Sequence, residues 1–360
     1  MKTITELKKK DLLNKKVLVR VDFNVSIKKG RVIDSFRIEQ SLSTINYLIK
    51  KGARIILTSH LGSDGVASLA PIAKYLNKLF PTRLIIGSKL VDLRPKIDLS
   101  LNSGQIVLLE NLRRFKGEEK NDPKFAKQLA TLADIYVNDA FSVSHRTHAS
   151  VSAITKYLPS YAGPLFIKEF KNLSLAFKPK GKLVVIIGGR KFQTKLPLIK
   201  KFLKTADSIF VGGALANSFM KALGCDIGSS VAEDNVNYLK PLLKNKKIIL
   251  PLDVIKNKKG QIVDIGPKSL KQIEQITKSA ELILWNGPLG WFETGAKTGT
   301  LTTAKIIAKA HGVSIVGGGD TLVAIRELNL IKDFDFVSTA GGAMLDFLAT
   351  GTLPGIKALK

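Results

Sequence analysis

Short apolar runs alternate along this chain with longer stretches whose apolar residues recur three and four positions apart. Lys16 to Val21 (KVLVRV), Ala53 to Leu57 (ARIIL), Gln105 to Leu109 (QIVLL) and Asp134 to Val137 (DIYV) predict buried strands. Gln40 to Lys51 and Pro123 to Leu132 carry the helical period between them. That rhythm builds βαβ units and a mostly parallel sheet. It restarts at Lys182 to Ile187, then Ser208 to Val211, Lys247 to Leu250, Glu281 to Trp285 and Val313 to Val316. Between the two sets lie Pro159, Gly163, Pro164, the helical piece LFIKEFKNLSLAF, Pro179 and Gly181, which read as a connecting helix bounded by breakers. The expectation is an α/β chain of two domains of similar size.

Ligands of open parallel sheets bind at the carboxyl ends of the strands, so the residues there carry the chemistry. In the first set these are Asp22, Phe23 and Asn24, then Ser59, His60, Leu61 and Gly62, then Glu110 to Arg114, then Asn138, Asp139, His145, Arg146 and His148. Arg20, Arg37, Arg113 and Arg146 supply cations suited to a small phosphorylated acid. Asp22 and Asn24 also fit a plain Asx turn. His145 and His148 have no second ligand pair, which argues against zinc.

The second set ends in glycines: Gly188 and Gly189 before Lys191 and Lys195, Gly212 and Gly213, Asn286 to Gly290, and Gly317, Gly318 and Gly319 before Asp320 and Thr321. Strand, glycine run and helix start form an anion cradle, because residues without Cβ let backbone N–H groups approach a phosphate. The same pattern also fits a tight turn capped by Asp320 or Thr321. Asp320 beside a polyphosphate suggests Mg²⁺, and Glu293 suits a ribose. Neither a GxxxxGK[ST] loop nor an ordinary dinucleotide fingerprint is present.

Composition narrows this further. With 360 residues and 45% hydrophobic content there is material for two sizeable cores. No apolar run is long enough for a membrane span. The opening MKTITELKKKDLLNKK lacks the continuous apolar stretch of a secretory signal. The one cysteine, Cys225, excludes an internal disulfide and fits a reducing compartment, so a cytoplasmic protein is expected. The net charge of +28 suits polyanionic partners, nucleic acid included. Residues 1–177 hold 30 Lys and Arg against 15 Asp and Glu, and residues 178–360 hold 27 against 14. The charge is thus spread, with no basic tail or basic-aromatic array, and no specific nucleic-acid partner is expected.

At this point the strings RVDFNV (20–25), SHLG (59–62), LLENLR (108–113), DIYVNDAF (134–141), HRTHAS (145–150), AGPLFIKE (162–169), DIGPKS (264–269), WNGPLGWFE (285–293), GGGDT (317–321) and STAGGA (338–343) stand in one order from end to end. In this the chain resembles the phosphoglycerate kinases. The resemblance implies two Rossmann-like three-layer domains with mostly parallel sheets joined by a helical hinge. It divides the chain into residues 1–156, hinge 157–178 and 179–338, with 339–360 returning to the first domain. It implies reversible phosphoryl transfer between 1,3-bisphosphoglycerate and ADP, giving 3-phosphoglycerate and ATP, with domain closure and Mg²⁺ accompanying the nucleotide. A monomer is expected.

Carried over position by position, Asp22, Phe23, Asn24, Arg37, His60, Leu61, Gly62, Ser63, Arg113 and Arg146 would line the phosphoglycerate. Lys195, Gly212, Gly213, Asn286, Pro288, Glu293, Gly318, Gly319, Asp320 and Thr321 would hold the nucleotide, with Asp320 serving the metal. Arg37, Lys191, Lys195, Gly341 and Gly342 would meet the moving phosphoryl. Three places depart from the family pattern. Ser63 and Asp64 follow SHLG where Arg-Pro is usual, which leaves a neighbouring cation to take the arginine's place. GGAKVSDK has become GGRKFQTK (188–195), and STGGGAS has become STAGGAM (338–344). The chain is also short for the family, chiefly after SHLG and between Leu252 and Asp264.

Overall fold

A computed structural model describes residues 1–360. The chain forms two compact units, Met1–Phe170 with Thr352–Lys360, and Lys171–Gly351.

The first unit contains β1 (Lys16–Arg20), the hairpin β2 (Ile27–Lys28) and β3 (Arg31–Val32), β4 (Arg54–Thr58), β5 (Thr82–Ile85), β6 (Ile106–Leu109), β7 (Ile135–Asn138) and β8 (Ser160–Ala162). Six of these make one sheet in the order β5-β6-β4-β1-β7-β8, parallel throughout. Side chains alternate across a strand, so β1 feeds two cores. Val17 and Val19 join Ile55, Leu57 and Val137 on one face, with Ile38, Ile45 and Leu48 of the helix Phe36–Lys50. Leu18 joins Ile56, Val107 and Tyr136 on the other, with Phe125 and Leu129 of the helix Pro123–Ala130. Apolar residues on both faces are what a helix-covered parallel sheet requires.

The second unit contains β9 (Leu183–Ile187), β10 (Ser208–Val211), β11 (Ile248–Ile249), the hairpin β12 (Val254–Lys256) and β13 (Ile262–Ile265), β14 (Leu282–Asn286), β15 (Val313–Gly317) and β16 (Phe336–Val337). Its parallel sheet runs β11-β10-β9-β14-β15-β16. The chain builds outward from β9 in one direction, then crosses back to β14. This is the dinucleotide-fold order, and the crevice beyond the ends of β9 and β14 is its topological switch point. In the first sheet the equivalent point falls between β1 and β7.

All nine expected strands are present. In the two large sheets the periodicity missed β5, β8 and β16, which are short and lie at the edges, and it also missed the two small hairpins β2-β3 and β12-β13. The division of the chain differs from the expected one. It falls at Phe170/Lys171, inside the helix Pro164–Ser174, and again at Gly351/Thr352 rather than near Ser338. The helix Gly342–Thr350 stays with the second unit because its apolar side is used there. Met344 abuts Gly317, and the Phe347 ring meets Phe177 edge-on at 5.2 Å. Only the last residues belong to the first unit, where the Gly355 N–H reaches the Ser144 carbonyl at 2.9 Å.

Candidate active site: two strand-end clusters

The first cluster lies beyond β1, β4, β6 and β7. Asp22 follows β1 and is buried. Its carboxylate accepts from Arg37 at 2.6 Å, from the Ser142 hydroxyl at 2.5 Å and from the Asn24 N–H at 3.0 Å. Burial alone would raise its pKa, but Arg37 and these hydrogen bonds hold it below the usual carboxylate value. The last contact is the Asx turn that the sequence allowed. It turns Asn24 outward, where its Oδ1 accepts the Gly62 N–H at 3.1 Å. Phe23 is buried, with its N–H on Ser59 Oγ at 2.8 Å, and the buried Leu61 carbonyl takes Asn111 Nδ2 at 2.7 Å. These two residues set the turns rather than present a side chain to solvent.

The cations of this cluster differ in freedom. Arg113 donates to the Gly62 carbonyl and lies 3.1 Å from Glu119. Arg146 is exposed and donates to His145 at 3.3 Å. Ser63 and Asp64 are exposed, and Gly65 packs on the Arg113 backbone, so the shortened loop rests on Arg113 itself. Arg20 departs from its expected role as an anion-facing cation. It is 1% exposed and donates to Ser150 Oγ at 2.9 Å, to the Val21 carbonyl at 2.6 Å and to His60 Nδ1 at 3.3 Å. Burial pushes His60 down to about 3, Arg20, Arg113 and Arg146 acting in the same sense and Asp22 against them. His60 is therefore neutral at physiological pH. No group of three or more His, Cys, Asp or Glu residues is placed to hold a metal.

The second cluster occupies the β9/β14 switch point. Gly188 N–H meets the Asn286 carbonyl at 2.9 Å, and Gly189 N–H meets the Pro288 carbonyl at 2.7 Å. A Cβ on Gly188 would collide with Pro288, and one on Gly213 would come within 2.6 Å of the Gly189 nitrogen. Gly212 packs on Leu289 in the same way. The turns after β9, β10 and β14 are thus laid directly on one another. Lys195 enters from the helix Phe192–Phe202, 6% exposed, and donates to the Gly188 carbonyl. Burial lowers its pKa to about 8, with Asp320 opposing and Lys191 assisting. Lys191 stands exposed at the N-cap of that helix. Phe192, one of the departures in this turn, is buried against Phe219 and Tyr238.

After β15, Gly318 at φ 107° is the N-cap of the helix Gly319–Glu327. No side chain caps this helix, so the capping alternative for Asp320 and Thr321 is not realised. Asp320 is exposed in the first turn, and the Thr321 hydroxyl instead accepts the Gly287 N–H at 3.0 Å, tying the β14 and β15 turns together. The first-turn N–H groups have no carbonyl to meet within the helix. Glu293 is exposed on the short turn Phe292–Thr294. Gly341 at φ 55° is the N-cap of the helix Gly342–Thr350, and Gly342 has open space around it. The positive φ falls on Gly341 and not on Ala340, so the alanine in STAGGAM is compatible with the turn. Met344 fills the space over Gly317, its sulfur 3.6 Å from Asn286 Nδ2.

The sequence reading missed Ser142, which steadies Asp22, and Thr300, whose hydroxyl accepts the Leu289 N–H at 2.9 Å. Neither has a local signal, since each acts on another element: Ser142 on the end of β1, and Thr300, from the helix Thr298–Ala308, on the turn after β14.

Arginines gathered at the ends of one parallel sheet, with glycine turns and a buried lysine at the ends of another, define a two-domain α/β phosphotransferase. The chain belongs to the phosphoglycerate kinase family, whose sequence model matches residues 7–351. It is 42% identical to the phosphoglycerate kinase of Coprothermobacter proteolyticus, over 97% of each chain, and 40% identical to that of Dictyoglomus turgidum, over 100% of this chain and 99% of the relative. Among solved structures it is similar to the Coxiella burnetii phosphoglycerate kinase, with TM-score 0.84 and 36% identity over 99% and 98% of the two chains. The Pyrococcus horikoshii enzyme superposes with TM-score 0.85 at 30% identity, over 100% of this chain and 98% of that one. The chain is accordingly a kinase that uses a carboxyl group as phosphoryl acceptor, with a nucleotide and a phosphoglycerate as its substrates. No helix is long and apolar enough to cross a membrane.

Proposed function

We propose that the first cluster holds 3-phosphoglycerate or 1,3-bisphosphoglycerate and the second holds ATP or ADP. The observation that carries this reading is the switch-point crevice of the second unit, where stacked glycine turns surround the Lys195 ammonium. Backbone N–H groups at the starts of the helices Gly319–Glu327 and Gly342–Thr350 suit phosphate oxygens. Lys195 and Lys191 add charge there, and Glu293 suits the ribose hydroxyls. Arg37, already oriented by Asp22, is the acceptor-side cation best placed to meet a carboxylate or its phosphate.

The nucleophile is a carboxylate, ionised at neutral pH, so no general base is required. The barrier is repulsion between two anions, and the groups named here lower it by electrostatic stabilisation of the equatorial oxygens. Asp320 is a single exposed carboxylate at the first turn of a phosphate-facing helix. That fits Mg²⁺, which takes one or two carboxylates and keeps water and phosphate oxygens for the rest. When bound, the ion would neutralise part of the polyphosphate charge. We assign the enzyme to the cytoplasm on the strength of its single cysteine, and as a monomer because its hydrophobic pattern requires no partner.

A coupled assay of ADP formation tests the reading. Turnover is expected only with ATP, 3-phosphoglycerate and Mg²⁺ together. Equal turnover without 3-phosphoglycerate, or in excess chelator, would overturn it.

A further inference from the structure

The nearly inaccessible Arg20 takes no direct part in the reading above, although it lies at the carboxyl end of β1 with the anion-facing residues. An unpaired cation is rarely buried, because desolvation is expensive unless hydrogen bonds and a counter-charge offset it. The counter-charge here is Glu118, also 1% exposed. Ser150 joins the two: its hydroxyl receives Arg20 Nε at 2.9 Å and donates to Glu118 Oε1 at 2.5 Å, while its N–H meets Glu118 Oε2 at 3.0 Å. Tyr136 fixes Ser150 from the other side, donating to its carbonyl at 2.5 Å. The guanidinium is thereby held at both ends, and its remaining amino group faces His60 Nδ1 at 3.3 Å.

A guanidinium has donors and no acceptor. The Nδ1 atom that faces Arg20 must therefore be an acceptor, which leaves the ring proton on Nε2. A second proton on Nδ1 would set two donors against each other beside a fixed positive charge. We propose that Arg20 is a positioning residue that locks His60 as the neutral Nε2–H tautomer, so that His60 offers the phosphoglycerate a hydrogen-bond donor at Nε2. This rests on the assignment of His60 to the acceptor side.

The charged groups around His60 are Arg20, Arg113 and Arg146, which disfavour its protonation, and Asp22, which favours it. Without Arg20, Asp22 would stand against fewer cations. The ring would then protonate at higher pH and sample both tautomers. The expected signature is specific. A merely structural arginine, once removed, would lower stability without changing which ring nitrogen carries the proton.

The test is nitrogen-15 NMR of the histidine side chains in the full, ligand-free chain, with His60→Gln for assignment. The wild-type protein is expected to show His60 as neutral Nε2–H between about pH 5 and pH 8, the range in which an ordinary histidine titrates. Ser150→Ala loosens the guanidinium and Arg20→Met removes it. Each is expected to bring a second tautomer and a titration that moves up toward the ordinary histidine value, more so in Arg20→Met. In kinetics, the KM for 3-phosphoglycerate should rise roughly tenfold or more in Arg20→Met, as expected for disrupting a charge-assisted hydrogen bond, and acquire a pH dependence, with kcat less affected. Arg20→Lys, which keeps a donor, should restore part of the tautomer preference.

A wild-type His60 that carries its proton on Nδ1, or that is cationic at neutral pH, overturns the proposal whether or not any variant folds. An unchanged tautomer in folded Arg20→Met overturns it too. Because the tautomer is read without substrate, it is separate from the kinase assignment. That assignment fails instead if 3-phosphoglycerate leaves the His60 signals unmoved.

Discussion

In the first unit the strand-end cluster is built of side chains: Arg37 held by Asp22, Arg113 over the Gly62 carbonyl, and a neutral His60. In the second it is mostly backbone, with the Lys195 ammonium set among turns that leave no room for a Cβ. The two parallel sheets share an architecture and place these clusters at the same kind of switch point. The difference lies in what the ligands demand. A small phosphorylated acid is recognised by charge and fork geometry, which arginine supplies. A polyphosphate needs many short contacts close together, which only bare backbone can provide. Side-chain recognition can therefore be weakened one cation at a time, whereas backbone recognition fails as a unit.

The largest expected effect comes from placing a methyl group where the second cluster has none. Gly287 has φ 96°, and a Cβ there would lie 2.6 Å from Lys195 Nζ and strike the Gly188 carbonyl. Gly287→Ala should lower stability by about 2–4 kcal/mol, from backbone strain and overpacking together. It should lower ADP affinity at least about a hundredfold, as the cradle and its lysine move together. Urea midpoints and calorimetric titration measure these, and near-normal ADP affinity would break the contrast between the two clusters.

Next comes pH. The Lys195 pKa of about 8 lies below the 10.5 of the free side chain. Between these values the unfolded chain binds the proton more tightly, so this residue's contribution to stability rises with pH across that window and the penalty is full below it. Function runs the other way. Above about pH 8 the ammonium loses its charge, and ADP affinity should fall in wild type but not in Lys195→Met. A flat profile in wild type would remove Lys195 from the phosphate site.

The smallest effect is expected at Ala340. Since the left-handed residue is Gly341, Ala340→Gly gains no conformational freedom that the turn uses. It should lower stability by at most about 1 kcal/mol and leave the KM for ATP within roughly twofold. A large gain in activity would show that the alanine hampers the nucleotide side after all.

The glycine turns were legible in the sequence because a missing Cβ is itself the signal, and the Asp22–Asn24 turn because it is local. The strands β1, β4, β9 and β14 were legible because burial on both faces makes them uniformly apolar. What could not be read depends on sheet order. Ser142 reaches Asp22 only because the β1 and β7 ends are neighbours, and Ser150 reaches Glu118 only because the segment after β7 folds back on the helix Lys116–Glu119 that follows β6. Arg20 looked like one more substrate cation, since nothing local marks an arginine as buried. The helix Gly342–Thr350 was expected to leave the second unit because the resemblance implied that the chain returns to the first domain after Ser338. In the fold Gly317 and Phe177 meet its apolar side instead.

The central claim is that acceptor and nucleotide are held by separate clusters made of different materials. Calorimetric titration of Arg37→Ala and Lys195→Met, each with ADP and with 3-phosphoglycerate, tests it most directly. Arg37→Ala is expected to lose roughly tenfold or more in 3-phosphoglycerate affinity, as expected for losing a charge-assisted hydrogen bond, and to bind ADP as wild type does. Lys195→Met is expected to do the reverse. Loss of both ligands in either folded variant, or of neither in both, would contradict the account.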